Sequence, residues 1–345
     1  MIEVHFSSVY TYLENVPVSV EEELYSTLSY QPEGYFYSPK FQSNIWDGFI
    51  RLYQPKNHRF RSGLLLRVLK FLEERSIEYS LFDFPESSCF SQKSDSYLLR
   101  PYQLKVVNDI LSTRFGIIQS PPRSGKTMMM IATVDSLREF PAIFFCRSLD
   151  LAYQTVDRVR EFLPNVKVGL IGDGEVQIEP EGLTVATIQS VYSTFSKKYD
   201  KSRGESLERP IEEKLQVRKL LKNAKMIFYD ECHHSKGETS KFVLDKCVSA
   251  SLKIGLSATP FSENDSELLV ENVIGPVIHE VYYSDLIKEG FLVAPNIKLY
   301  KLPKHHADGT YNSVYKSAVI ENEFLEGLIL KIVKFLNSNR VYKSY

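Results

Sequence analysis

The spacing of apolar positions changes character twice along the chain. Met1 to Phe6 alternates and predicts a strand, and Ser19-Val-Glu-Glu22 has the spacing of a capping box opening a helix to about Ser29. Gly34 to Tyr37 and Gly48 to Tyr53 read as hairpin strands. Leu64, Leu65, Val68, Leu69 and Leu72 then recur at helical spacing, and Ile77 to Phe82 returns to a strand. Residues 1–95 therefore read as a small α+β domain, with the Ser-rich stretch Pro85 to Ser96 as its linker.

From Tyr97 short apolar runs alternate with helical stretches: Phe115 to Gln119, Ala142 to Cys146, Val166 to Ile171, Leu183 to Thr187, Met226 to Tyr229 and Leu252 to Leu256. Strands alternating with helices predict an α/β fold, a doubly wound parallel sheet over residues 97–295. A polar stretch from Ser196 to Lys225, with ten bases and five acids, reads as an insertion. Its second half, Pro210 to Leu221, reads as a helix with Pro at the first position. After Pro295 a strand, Asn296 to Leu302, and a helix, Asn322 to Leu336, begin a further unit over residues 296–345.

Composition changes this picture in three ways. The net charge is −1, so a nucleic-acid surface has to be local. Residues 1–39 hold six acids and no Lys or Arg, whereas 40–70 hold seven bases and one acid, Asp47. That basic side nominates Lys40, Arg51, Lys56, Arg59 and Arg61 as DNA contacts, while the rings among them, Phe41, Trp46, Phe49 and Tyr53, read mostly as core. Four cysteines without paired spacing argue for a reducing, cytoplasmic setting with no disulfide partner, and no apolar run approaches about 18 residues, which argues against membrane and secretion.

The chemistry is concentrated in three short segments. Ser120-Pro-Pro-Arg-Ser-Gly-Lys126-Thr127 lies between a strand and a run of helix formers, the context of a phosphate-binding loop. Gly125 frees backbone N–H groups to face phosphate oxygens, Lys126 reaches the β- and γ-phosphates, and Thr127 offers a hydroxyl to Mg²⁺. The usual first Gly of that pattern is Ser120. Asp230-Glu-Cys-His233 follows an apolar strand, with Asp230 suited to the Mg²⁺ shell and Glu231 to deprotonating a water. Cys232, His233 and His234 do not read as a zinc site, because three adjacent side chains cannot converge on one ion. His233 reads instead as a coupling residue touching Ser257-Ala-Thr259.

Arg100-Pro-Tyr-Gln103, Ser-Gly-Lys-Thr127, Ser148 to Gln154, Thr187-Ile-Gln-Ser190, Asp-Glu-Cys-His233 and Ser-Ala-Thr259 resemble, in order and spacing, the first-lobe motifs of superfamily 2 DExH helicases. The resemblance covers residues 97–295 and implies a RecA-like lobe that binds ATP and Mg²⁺. It assigns Gln103 to adenine and Tyr102, Pro122, Arg123, Ser124, Gly125, Lys126 and Thr127 to the nucleotide. Ser148, Thr187, Gln189 and Ser190 fall to the nucleic-acid backbone, and Ser257 and Thr259 to relaying nucleotide state. The family's usual Pro before Ser148 is Arg147 here. Tyr37-Ser-Pro-Lys-Phe41, Asn44-Ile-Trp-Asp-Gly48 and Ile50-Arg-Leu52 are similar to the N-terminal domain of the phage UvsW helicases, which implies forked or branched DNA as substrate and, for a phage protein, the host cytoplasm. The family's arginine fingers lie in its second lobe, so the chain reads as part of a longer helicase that binds nucleotide and hydrolyses it slowly. Two other classes share these motifs: a double-strand translocase of the restriction type, and a DNA-binding scaffold using ATP as a switch.

Overall fold

Alternating burial along β1 (Ile2–His5) and β2 (Tyr10–Glu14) gives the N-terminal sheet one inner face. Helix α1 (Val18–Thr27) starts one residue before the expected box. Pro17 is its N-cap, accepting from the Val20 and Glu21 N–H groups at 3.0 Å, so Ser19 already lies within the first turn and caps nothing. β3 (Ser29–Tyr30) is followed by a 3₁₀ turn at Tyr35–Tyr37, the one-turn helix α2 (Pro39–Gln42) and β4 (Ile50–Arg51), which pairs back on β3. The strand expected at Gly34 to Tyr37 is thus replaced by a turn, whereas that expected at Gly48 to Tyr53 forms over Ile50–Arg51 and finds its partner in β3. The turn has a local cause: Tyr35 packs edge-on against Phe41, and Gly48, at φ +86°, leaves the room, since a Cβ there would lie 2.7 Å from the Tyr35 ring. β5 (Arg59–Arg61), α3 (Leu65–Glu74) and β6 (Tyr79–Phe82) complete a sheet of order β5-β2-β1-β6.

The larger sheet is built as the apolar runs require. Its elements are α4 (Pro101–Thr113), β7 (Phe115–Gln119), α5 (Lys126–Leu137), β8 (Ala142–Cys146), α6 (Leu149–Phe162), β9 (Val168–Gly172), β10 (Glu175–Val176), β11 (Leu183–Thr187) and α7 (Ile188–Ser193). After the short ribbon β12 (Tyr199–Asp200) and β13 (Glu205–Ser206) come α8 (Ile211–Asn223), β14 (Met226–Asp230), α9 (Glu238–Leu244), β15 (Leu252–Ser257), α10 (Glu267–Glu271), β16 (Val277–Glu280) and α11 (Tyr283–Lys288). Pro210 is the N-cap of α8, one residue ahead of its expected place. The strand order is β10-β9-β11-β8-β14-β15-β7-β16, parallel throughout except for β10. Successive residues serve opposite faces. Ile118, Phe144, Phe228 and Ile254 pack with α4, α5 and α6, whereas Ile117, Ile143, Phe145 and Ile227 pack with α7, α8 and α9.

This computed structural model describes residues 1–195, 199–200, 205–206, 210–261, 267–295, 297–302 and 309–338, so most of the first half of the Ser196 to Lys225 insertion lies outside the described residues. The chain divides into two compact units, residues 1–293 and 294–345. In the second, α12 (Tyr311–Tyr315), a π-helical turn at Lys316–Ile320 and α13 (Glu323–Ser338) are helical. The strand expected at 296–302 does not form over 297–302, and Asn296 itself is outside the described residues. A strand needs a neighbour for its N–H and C=O groups, and among the described residues of that unit there is none.

The N-terminal sheet and the larger one share a core. Phe6 packs edge-on against Phe115, and Gly63 approaches so closely that a Cβ would lie 1.9 Å from the Glu271 carbonyl oxygen. Around this contact Arg61 binds both oxygens of Asp245 (2.6 and 2.7 Å), Arg67 pairs with Glu271, and the Ser8 hydroxyl donates to the Cys247 carbonyl. The Ser-rich segment expected as a linker has no regular structure over 85–96 apart from turns, yet it is tied down. Asp135, fully buried, accepts from the Lys93 and Ser94 N–H groups and the Tyr97 hydroxyl, and pairs with Arg138. Burial would raise its carboxyl, but those donors hold it below the usual carboxylate range.

Lys253, buried at the start of β15, donates to the Ser8 carbonyl at 2.8 Å, and burial pushes its ammonium down to about 8. Between that value and the ordinary 10.5 the unfolded chain carries the proton and the folded one does not, so stability rises with pH across the window. Lys253→Met should remove about 3 kcal/mol of that rise, measured by denaturant titration at both ends of the window. Parallel pH profiles for the two proteins would contradict this.

Candidate nucleotide cleft and nucleic-acid contacts

β7 ends at Gln119, and the chain turns through Ser120–Gly125 into α5. Gly125, at φ +87°, is the N-cap of that helix, and a Cβ there would lie 2.4 Å from the Gln103 side-chain nitrogen. Ser120 tolerates the place of the usual glycine because its φ is not positive. Its buried hydroxyl bonds that of Ser124 at 2.5 Å, and its N–H donates to the Ser257 carbonyl. Tyr102 and Gln103, at the start of α4, both donate to the Ser124 carbonyl, while the Gln103 Oε1 accepts from the Arg100 N–H as a helix cap. Gln103 thus holds the loop and lines the cleft beside it. Lys126 donates to the Ser120 carbonyl at 3.2 Å.

Asp230 closes β14, and Glu231 follows in the left-handed region at φ 51°. Arg123 is also left-handed at φ 65°, so two strained non-glycine residues flank the same cleft. The Glu231 Oε2 accepts from the Ser257 hydroxyl at 3.3 Å and lies 3.4 Å from the His233 Nδ1, which is itself 3.2 Å from the Ser257 oxygen. The Ser257 hydroxyl oxygen also accepts from the Thr259 N–H. Glu231, His233, Ser257 and Thr259 are therefore one connected group.

A cleft of about 810 Å³ brings Gln103, Arg123, Gly125, Lys126, Thr127, Asp230 and Glu231 together. Tyr102 and Ser124 lie behind it, both buried, and Pro122 is exposed on the loop. Burial first, then Glu231, raises the Asp230 carboxyl, against the pull of Lys126. Two adjacent carboxylates opposed by one ammonium, with a threonine hydroxyl on the same wall, are the oxygen donors a hard divalent cation takes. Thr127 and Asp230 would hold it. Sequence reading missed the far wall: Leu151, Gln154, Arg158 and Phe162 of α6 line the cleft, as does Arg100. The signal was available, since 151, 154, 158 and 162 recur at helical spacing.

The expected nucleic-acid residues fare unevenly. Ser148 is exposed and its Oγ caps α6, so Arg147 in place of the usual Pro does not disturb that turn. Thr187 is nearly buried, and its hydroxyl caps α7 through the Ser190 N–H and bonds the Ser190 hydroxyl, leaving Gln189 as the exposed side chain there. Gln189 lines a cleft of about 260 Å³ with Arg147, Asp230 and His234. Among the N-terminal candidates, Lys40 in α2 and Lys56 in the turn at Pro55–Asn57 are open to solvent. Arg61 is not, being committed to Asp245, and Arg51 is paired with Asp47. Arg59 bonds Gln54 and lies 4.2 Å from the Tyr10 ring centroid. Of the four rings expected mostly in the core, Tyr53 is buried, Phe41 and Trp46 are half-buried and Phe49 is exposed.

Residues 96–262 match the family described as type III restriction enzyme, res subunit, and residues 1–82 match that described as DNA helicase UvsW, N-terminal. The chain resembles the UvsW-type superfamily 2 helicases. It is 25% identical over 293 residues to the DNA 3'-5' translocase XPB2 of Sulfurisphaera tokodaii, covering 85% of this chain and 56% of that protein. The DNA 3'-5' helicase XPB of Kineococcus radiotolerans is 25% identical over 237 residues, 68% of this chain and 39% of that one. The chain therefore spans between about a third and somewhat over half of the curated relatives it matches. In fold, a crystal structure of the UvsW helicase from bacteriophage T4 superposes with a TM-score of 0.62 at 19% identity, covering 81% of this chain and 99% of that one.

Gly125→Ala should weaken binding of a fluorescent ATP analogue at least tenfold with far-UV circular dichroism unchanged, because a Cβ meets Gln103 and the left-handed backbone disfavours it. Ser120→Gly should leave that affinity within about threefold.

Proposed function

We propose that the chain is the ATP-binding part of a DNA helicase or translocase that acts on forked or branched DNA. The observation that carries the reading is the single cleft in which the Gly-Lys-Thr turn faces the Asp230-Glu231 pair, with Glu231 bonded to Ser257. Lys126 would leave the Ser120 carbonyl for the phosphates, and backbone N–H groups at the start of α5 would complete the cradle. Mg²⁺, held by Thr127 and Asp230, would neutralise phosphate charge. Glu231 is placed to take a proton from the attacking water. A change at its carboxylate reaches Ser257 and His233 directly, and through Ser257 the Thr259 backbone, which gives the nucleotide state a mechanical outlet. Likeness to the DNA helicase UvsW N-terminal family over residues 1–82 supports DNA as the substrate, and the branched form is what the UvsW resemblance implies.

A double-strand translocase of the restriction type is the second reading, favoured by the match over residues 96–262. Strand displacement on a fork against triplex displacement on plain duplex separates the two. Lys126→Ala should abolish ATP binding in equilibrium titration. Glu231→Gln should retain ATP and lose cleavage by at least a hundredfold, and normal hydrolysis by that variant would remove Glu231 as the base.

A further inference from the structure

Beyond the cleft and its motifs, a groove of about 600 Å³ lies where α7, α8 and α9 meet. It is lined by Phe195, Arg218, Lys222, Phe242, Asp245 and Lys246, together with Val248. Its carboxylate is already neutralised, since Asp245 is bound twice by Arg61. Arg218, Lys222 and Lys246 are exposed and have no carboxylate partner among the described residues. Two of them are held in place. The Arg218 guanidinium lies 5.4 Å from the Phe195 ring centroid and the Lys246 ammonium 4.7 Å from that of Phe242, the rings meeting edge to face at 5.2 Å. Cations seated over aromatic faces lose less side-chain freedom when they meet an anion. Lys222 at the C-terminal end of α8 also favours that helix's dipole, but Arg218 lies a turn earlier and gains nothing there.

Position decides what the groove could serve. Lys222 lies just before β14 begins and Lys246 before β15, so both sit at the starting edge of the parallel strands. The nucleotide loop and Ser148 leave from the opposite edge, roughly 16 Å of strand away. At the groove's own edge, Arg61 of the N-terminal sheet makes its contact with Asp245. We propose that this groove holds the phosphate backbone of a second arm of a branched DNA, while the helicase motifs engage the first. Such a role rests on the DNA-motor reading above and adds to it a place for the branch. Three cations without a carboxylate partner among the described residues, two on α8 and one in the turn after α9, suit a run of phosphates rather than one small anion. No helix N-terminus of eight or more residues contributes to the lining.

The test is a combined Arg218→Gln, Lys222→Gln, Lys246→Gln variant of the whole chain. Affinity for a forked oligonucleotide and for plain duplex of equal length is measured across a salt series. We expect the fork preference to collapse toward duplex affinity, the log–log salt slope on the fork to fall by about two to three, and duplex binding to stay within about threefold. A fork preference and slope equal in both proteins overturn the groove assignment while leaving the motor reading intact. A native chain that binds neither DNA overturns both. Loss of binding to a polyglutamate peptide, with DNA binding unchanged, gives the groove to an acidic protein partner and overturns the proposal as well.

Discussion

In-register parallel pairing of β14, β15 and β7 is the constraint on which the rest depends. Asp230 stands opposite Leu256, and Ser257 opposite Gln119, so three strands end together at one edge of the sheet. A shift of one residue would turn each buried side chain to the wrong face, and both faces are covered by helices. The hydrophobic effect thereby fixes the geometry of polar chemistry: the Ser120 N–H reaches the Ser257 carbonyl, and Ser257 reaches Glu231. None of these contacts needs a ligand to form.

The N-terminal sheet adds a second constraint. Shared core residues, the close approach at Gly63 and the ion pairs of Arg61 and Arg67 bind it to the starting edge of the larger sheet. Bases that looked like a free DNA surface are partly used up in this contact. Removing one partner of a half-buried pair such as Arg61 and Asp245 leaves the other charge poorly solvated, so the pair acts as a fastening.

The sequence made the parallel sheet legible because runs such as Phe115 to Ile118 and Ala142 to Cys146 carry no charged residue, a pattern that burial on both faces explains. The phosphate loop was legible because strand, glycine and helix formers stand in order. What escaped was set by distant partners. Arg61 reads as a basic surface residue until Asp245, 184 positions later, is brought to it. Gly34 to Tyr37 reads as a strand, but Tyr35 closing on Phe41 turns it, and the strand at Ile50–Arg51 pairs with β3 instead. The far wall of the cleft was readable in the spacing of Leu151, Gln154 and Arg158, yet motifs drew attention to Ser148 at the helix end. Pro85 to Ser96 looked like a loose tether because its anchor, Asp135, is provided by another helix.

That anchor has a mechanical consequence. Asp135 and Lys126 belong to the same helix, α5, nine residues or about 13 Å apart along a rigid rod. One end of the rod carries the Lys126 ammonium beside the cleft, and the other is knotted to the strap leading back to the N-terminal sheet. Axial creep of this piston would tug on the strap without any loop between them to absorb the stroke.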